Sequence, residues 1–93
     1  MKILLKDFGS MLTSREDGRD ALTASHKELA NLSLNEQIEI DFTDLGTISP
    51  GWADEFLSKL QDEFGDRVSL LPTENLSAQQ TIKLLESIRG KKF

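Results

Sequence analysis

The side chains able to do chemistry gather in three places. Asp41, Asp44, Asp54 and Glu55 surround one strand-to-helix junction, Ser49 sits inside it, and Arg15 and Gly18 open an earlier helix. The four acids are oxygen ligands of the kind Mg²⁺ takes. They fall near the C-terminal end of a strand, the usual ligand edge of an open α/β sheet. Their spacing argues against a shared ion. Neighbours on a helix such as Asp54 and Glu55 point about 100° apart, Lys59 lies four residues after Glu55 as an ordinary surface partner, and no metal-ligand motif is present. A solvated or partner-facing acidic edge is the favoured reading, with no metal and no cofactor. Arg15, beside the free amides of a helix start, could hold an anion such as phosphate with Gly18. Capping by Ser14 and a solvated guanidinium explain the same residues. The glycine spacing and lysine of a P-loop are missing.

His26 is the sole histidine, and a general base needs a nucleophile or an orienting partner that the sequence does not supply. It reads as a surface residue. Trp52 shares a stripe with Phe56 and reads as core or interface. Cysteine is absent, which excludes disulfides, thiolate chemistry and cysteine-based zinc sites. No nucleophile–base pair emerges, so catalysis is not expected.

The elements that must position these residues follow from periodicity. Ile38, Ile40 and Phe42 alternate with Glu39 and Asp41, the pattern of a strand with one buried face. Asp44, Gly46 and Thr47 read as a turn. Ser49 then suits an N-cap and Pro50 the first helical position. Trp52, Ala53, Phe56, Leu57, Leu60 and Phe64 recur at helical spacing up to Gly65. Upstream, Ile3 to Leu5 forms a first strand, with Met11–Thr13 as a second short strand in a hairpin with it. Ser14 caps a helix carrying Ala21, Leu22, Ser25, Leu29 and Leu32. Gly18 within its first turn costs about 0.5–1 kcal/mol against alanine, which suggests close backbone approach by another element or a ligand, or equally plain packing of the helix on the sheet. Downstream, Arg67–Leu71 forms a strand that Pro72 stops. A last helix follows, with Asn75 or Ser77 as N-cap and Ala78, Ile82, Leu85 and Ile88 as its apolar stripe.

Ninety-three residues make a single domain, 1–93. A net charge of −5 disfavours nucleic acid as a partner. The basic cluster Arg89, Lys91 and Lys92 complements the dipole of the last helix. No segment approaches the roughly twenty apolar residues of a membrane span, and the N-terminus lacks the apolar run of a signal peptide. The expected setting is cytoplasmic.

Strands alternating with helices predict an α/β fold with parallel crossovers, about four strands, and three helices mainly on one face of a two-layer domain. Phe8-Gly9, Ser14-Arg15-Glu16-Asp17-Gly18-Arg19, Ile40-Asp41-Phe42 and Ile48-Ser49…Ala53-Asp54-Glu55-Phe56-Leu57 resemble the STAS-like family of unknown function (DUF4325) across nearly the whole chain. That family is related in pattern to the STAS domains of anti-sigma factor antagonists. The resemblance implies the same two-layer fold and a regulatory protein partner such as a GHKL-type (histidine-kinase-like) ATPase. In STAS antagonists the serine at this junction is phosphorylated, which makes Ser49 a candidate phosphosite. The antagonist pattern is Asp-Ser, a small residue, then Gly, whereas this chain has Ile48-Ser49-Pro50-Gly51. Aligned on the isoleucine, Pro50 takes the phosphoserine's place; a shift by one residue gives it to Ser49.

The leading expectation is a non-enzymatic interaction module binding its partner through Thr47, Ser49, Pro50 and Gly51 and through Asp54 and Glu55 on the next helix. The alternative is a sensor for a nucleotide or phosphate, held near Arg15 to Gly18 or at the Asp44 to Gly51 turn. The sequence does not fix an oligomeric state.

Overall fold

The computed structural model describes residues 1–93. In chain order the elements are β1 (Lys2–Leu4), β2 (Met11–Leu12), α1 (Arg15–Leu29), β3 (Ile38–Asp41), β4 (Thr47–Ile48), α2 (residues 50–64), β5 (Val68–Leu70) and α3 (Leu76–Arg89). Short 3₁₀ turns at Leu5–Phe8 and Gly65–Arg67 link β1 to β2 and α2 to β5. Helix α2 is α-helical over Pro50–Ala53 and Lys59–Phe64, with a π turn at Asp54–Ser58 between them.

Strand β3 lies at the centre of a parallel sheet in the order β1-β3-β5. Ile38 and Ile40 of β3 are fully buried, and Glu39 and Asp41 lie half-exposed on the other face. In that outer layer Lys2 pairs in register with Glu39, and Glu39 with Ser69. A polar row on one face and isoleucine on the other means that one face alone is covered by helices, as the alternation predicts.

Met11–Leu12 is a strand, but it does not form the expected hairpin with β1. Strand β2 pairs in parallel with β4, Met11 opposite Thr47 and Leu12 opposite Ile48, in a separate two-stranded sheet. The 3₁₀ turn after Leu4 buries Leu5 and carries the chain away from β1 before β2 begins. Thr47, read as a turn residue, is therefore the first residue of β4, a strand beyond the four expected.

The core is a single cluster in which Trp52, Phe56, Leu57 and Leu60 of α2 are buried between α1, α3 and the sheet. Full burial of one such side chain contributes about 1.5–3 kcal/mol. Phe8 closes over the start of α2, 6.0 Å from Trp52 and 5.4 Å from Phe56 between ring centroids, while Trp52 and Phe56 stack at 4.9 Å. In α3 the buried stripe is Ala78, Thr81 and Leu85, with Ile82 half-buried. Ile88, expected on that stripe, is 71% exposed. Arg89 takes the inward position, bonding Gln61 Oε1 at 2.7 Å and Asp62 Oδ1 at 2.8 Å. Leu32, expected on α1, lies beyond its end and is half-buried against the core.

Candidate interaction site

Two parallel strands end side by side, and each feeds a serine-capped helix. Ser14 Oγ accepts from Asp17 N at 3.0 Å, and Ser49 Oγ accepts from Trp52 N at 3.2 Å, with Pro50 at the first helical position. These caps are local consequences of Ser-Arg-Glu-Asp and Ser-Pro-Gly-Trp, and each answers one orphan amide. Asn75 rather than Ser77 caps α3, its Oδ1 accepting from Ala78 N at 3.0 Å.

Residues 46–49 are clamped on both sides. Gly46 N and Thr47 N donate to Ser10 O, and Ser49 N donates to Leu12 O at 2.8 Å. On the other side Asn75 Nδ2 donates to Leu45 O at 2.7 Å and to Gly46 O at 3.1 Å. Ile48 N donates to Ser77 Oγ, and Ile48 O accepts from Ser77 Oγ at 3.0 Å and from Thr81 Oγ1 at 2.9 Å. Two hydroxyls of α3 thus stand where a further strand would pair, which closes an otherwise open sheet edge. The segment is less open than a turn reading implies. Ile48 is 2% exposed and Trp52 1%, while Thr47 and Pro50 face solvent and Ser49 and Gly51 are half-buried.

Arg15 joins the two helix starts. A Cβ built on Gly51 would meet Arg15 Cγ at 3.0 Å, so glycine lets the arginine cross the first turn of α2. Arg15 Nη1 then reaches Asp54 Oδ2 at 3.0 Å and Glu55 Oε1 at 3.4 Å, and Arg19 Nε stands 3.7 Å from Glu55 Oε2. Asp54 and Glu55 were expected to diverge too far to share one ion, yet both meet one guanidinium. The reason is that a long, forked cation bridges the angle between them, and the π turn that begins at Asp54 departs from the spacing on which that angle rests. The expected Glu55–Lys59 pair is not formed. Glu55 turns to α1, and Lys59 pairs with no carboxylate.

The hydrogen bond to Asp54 raises the Arg15 guanidinium further above its ordinary value, against an opposing desolvation cost. Burial pushes the Asp54 carboxyl up, but the hydrogen bond and charge of Arg15, together with Ser58 and the charge of Lys59, outweigh it and hold that carboxyl low.

The remaining acids are dispersed. Asp41 Oδ1 accepts from the Thr43 hydroxyl at 2.6 Å and the Thr43 amide at 2.9 Å, which hold its carboxyl below the ordinary value. Asp44 lies 3.5 Å from Lys6 Nζ. No three His, Cys, Asp or Glu side chains converge on a metal-binding point. Exposed His26 has a partner that the sequence did not reveal, Glu63 of α2, at 3.0 Å. Gly18 packs against the backbone of Trp52. The basic cluster at the C-terminus is matched by acids: Arg89 and Lys91 by Asp62, and Lys92 by Glu86.

Ser77, Thr81, Asn75 and Arg19 were not singled out for their roles at this junction. The available signal was slight: Ser77 and Thr81 are hydroxyls one helical turn apart, flanking the apolar Ala78.

A one-sided parallel sheet, with paired strand ends each opening a capped helix, defines a small α/β domain with a rigid strand-to-helix junction. The chain belongs to the family of the STAS-like domain of unknown function (DUF4325), whose model matches residues 21–80. The match takes in the junction and α2; the Ser14–Arg19 run lies before it. Neither the comparison with curated proteins nor that with solved structures returned a match. No helix is long and apolar enough to cross a membrane.

Proposed function

We propose that the chain is a non-enzymatic regulatory module that binds a protein partner through Thr47–Gly51 and the half-buried flank of α2 that carries Asp54 and Glu55. The observation that carries this reading is the double clamp on residues 46–49. A segment fixed from Ser10 and Leu12 on one side and from Asn75, Ser77 and Thr81 on the other loses little entropy on docking, and it still presents Thr47 and Pro50 outward. The family's own function is unknown; the regulatory partner, with a GHKL-type ATPase as the specific candidate, rests on the resemblance in pattern to anti-sigma factor antagonists. Phosphate on Ser49 would add about −1.5 to −2 charges at the start of α2. It would lie two residues from Gly51, where Arg15 crosses, and would compete with Asp54 and Glu55 for that guanidinium. A free phosphate at Arg15 would have to displace the same carboxylates without the tether that Ser49 gives a phosphoryl group.

The test is co-purification of the tagged chain from its native cells, with identification of bound proteins and their ATP hydrolysis. The expected result is a complex with an ATPase that is lost in a Thr47→Arg/Pro50→Glu variant whose melting point is unchanged. An ATPase bound equally by that variant would place the contact elsewhere. No ATPase in the complex would remove the GHKL-type candidate.

A further inference from the structure

Helix α1 has two flanks. Arg15, Arg19 and His26 reach α2, whereas Asp17, Asp20, Ala24 and Glu28 lie on the opposite side and are exposed. Beside that second flank run two hollows of about 410 and 250 Å³, which meet at Phe8. Both are bounded by strands with a free edge, because β1 pairs only with β3 and β2 only with β4. Glu39 N donates to Met1 O, so the alternate peptide groups of β1, those of Lys2, turn outward. Ser10 O accepts from Thr47 N of β4 and Leu12 O from Ser49 N just after it, which turns the peptide groups of Met11 outward as well.

The floor is apolar, and Met11 is 70% exposed. The rim is acidic: Asp17, Asp20, Asp7 and Glu28 line the hollows, and none has an ion-pair partner among the arginines and lysines that neutralise Asp54, Glu55, Asp62 and Glu86. Lys2 is the only cationic side chain at the rim, and the Met1 ammonium beside it is paired with Glu36.

The geometry points to a second docking surface here, independent of the Thr47–Gly51 reading, that takes an extended segment of a partner protein in which lysine or arginine alternates with apolar residues. Its peptide groups pair with the open edge of β1, its apolar side chains enter the hollows, and its cations meet the four unpaired carboxylates. From Asp17 to Glu28 the helix rises roughly 16 Å, which an extended chain spans in about five residues.

A fluorescein-labelled hexapeptide, Lys-Val-Lys-Val-Lys-Val, is titrated against the ¹⁵N-labelled chain and followed by amide shifts and anisotropy. Shifts are expected at Lys2–Leu4, at Met11 and along the Asp17–Glu28 flank. Asp17→Lys/Asp20→Lys weakens binding by about tenfold or more, and Ala24→Phe weakens it with no change in charge. Asp66→Lys/Glu74→Lys makes the same change in net charge at exposed, unpaired acids elsewhere and alters affinity by less than about twofold. Equal weakening by the two charge-reversal pairs would reduce the effect to bulk attraction and overturn the proposal. So would shifts centred elsewhere, a peptide that binds as a helix, or a dimer of this chain that occupies β1 and excludes the peptide.

Discussion

Gly18 of α1 lies so close to Trp52 of α2 that a Cβ built on the glycine would stand 2.5 Å from the Trp52 carbonyl oxygen and 3.0 Å from its Cα. The obstacle is backbone at the start of a helix whose first residues are fixed by Ser49 and by β4, so it cannot swing aside. The glycine that looks costly within its own helix is what lets the two helices meet.

Gly18→Ala therefore destabilises the domain. Helix propensity alone favours alanine by about 1 kcal/mol, but forcing a methyl into a closed contact costs about 1–3 kcal/mol. A net loss of about 1–2 kcal/mol is expected from the shift in urea midpoint. An increase in stability would mean that the helices separate easily and that the close approach has little weight.

Removing the cap of α2 has a smaller effect. Ser49→Ala leaves the Trp52 amide without its acceptor at a half-buried position, at a cost of about 1 kcal/mol. For a domain of this size that lowers the melting temperature by about 4–8 °C. Ser49→Asp keeps an acceptor and retains most of the stability. If both variants melt alike, the hydroxyl matters for something other than capping.

The α3 clamp on Ile48 is cooperative. Thr81→Val removes a buried donor while the carbonyl keeps Ser77, which costs about 1 kcal/mol. Ser77→Ala/Thr81→Val leaves the buried peptide group of Ile48 with neither hydroxyl and costs more than the two single losses added together. Strict additivity in a double-mutant cycle would show that water replaces the hydroxyls.

Acid weakens the fold through Asp41 and Asp54, whose carboxyls both sit below their ordinary value of 3.8 when folded. A depressed carboxyl binds protons more weakly in the folded than in the unfolded chain. Its contribution is present above the unfolded value and is lost as pH falls through the folded one. Asp41→Asn keeps an acceptor for Thr43 but cannot titrate, so its urea midpoint should fall less steeply than the parent's below about pH 4. A slope equal to the parent's would assign the acid sensitivity to other groups.

Arg15→Ala separates the two aspartates. With the guanidinium gone, burial acts on Asp54 with less opposition, and its carboxyl titrates at higher pH, while Asp41, held by Thr43, is unmoved. Carboxyl ¹³C titration reads both in one experiment. An unchanged Asp54 would mean that the ion pair is too loose in solution to favour the charged form.

The order of elements was legible in the sequence, and so was their chemistry at the ends. Alternation in Ile38–Asp41, the Ser14 and Ser49 caps, Pro50 at the first helical position and the stripe through Trp52, Phe56, Leu57 and Leu60 depend on residues within about one or two turns of each other, so local spacing carries them. What lay beyond that reach was decided by which surfaces meet. Met11–Leu12 could have paired with β1 or β4, and only the 3₁₀ turn at Leu5–Phe8 and the arrival of Thr47–Ile48 chose β4. Asp54 and Glu55 gained Arg15 from 39 and 40 residues away. Ile88 lost its place on the stripe to Arg89 because Gln61 and Asp62 stand opposite. Gly18 shows the division most plainly: one residue type and its position flagged a close approach, and the packing of α1 on α2 supplied the Trp52 carbonyl that requires it.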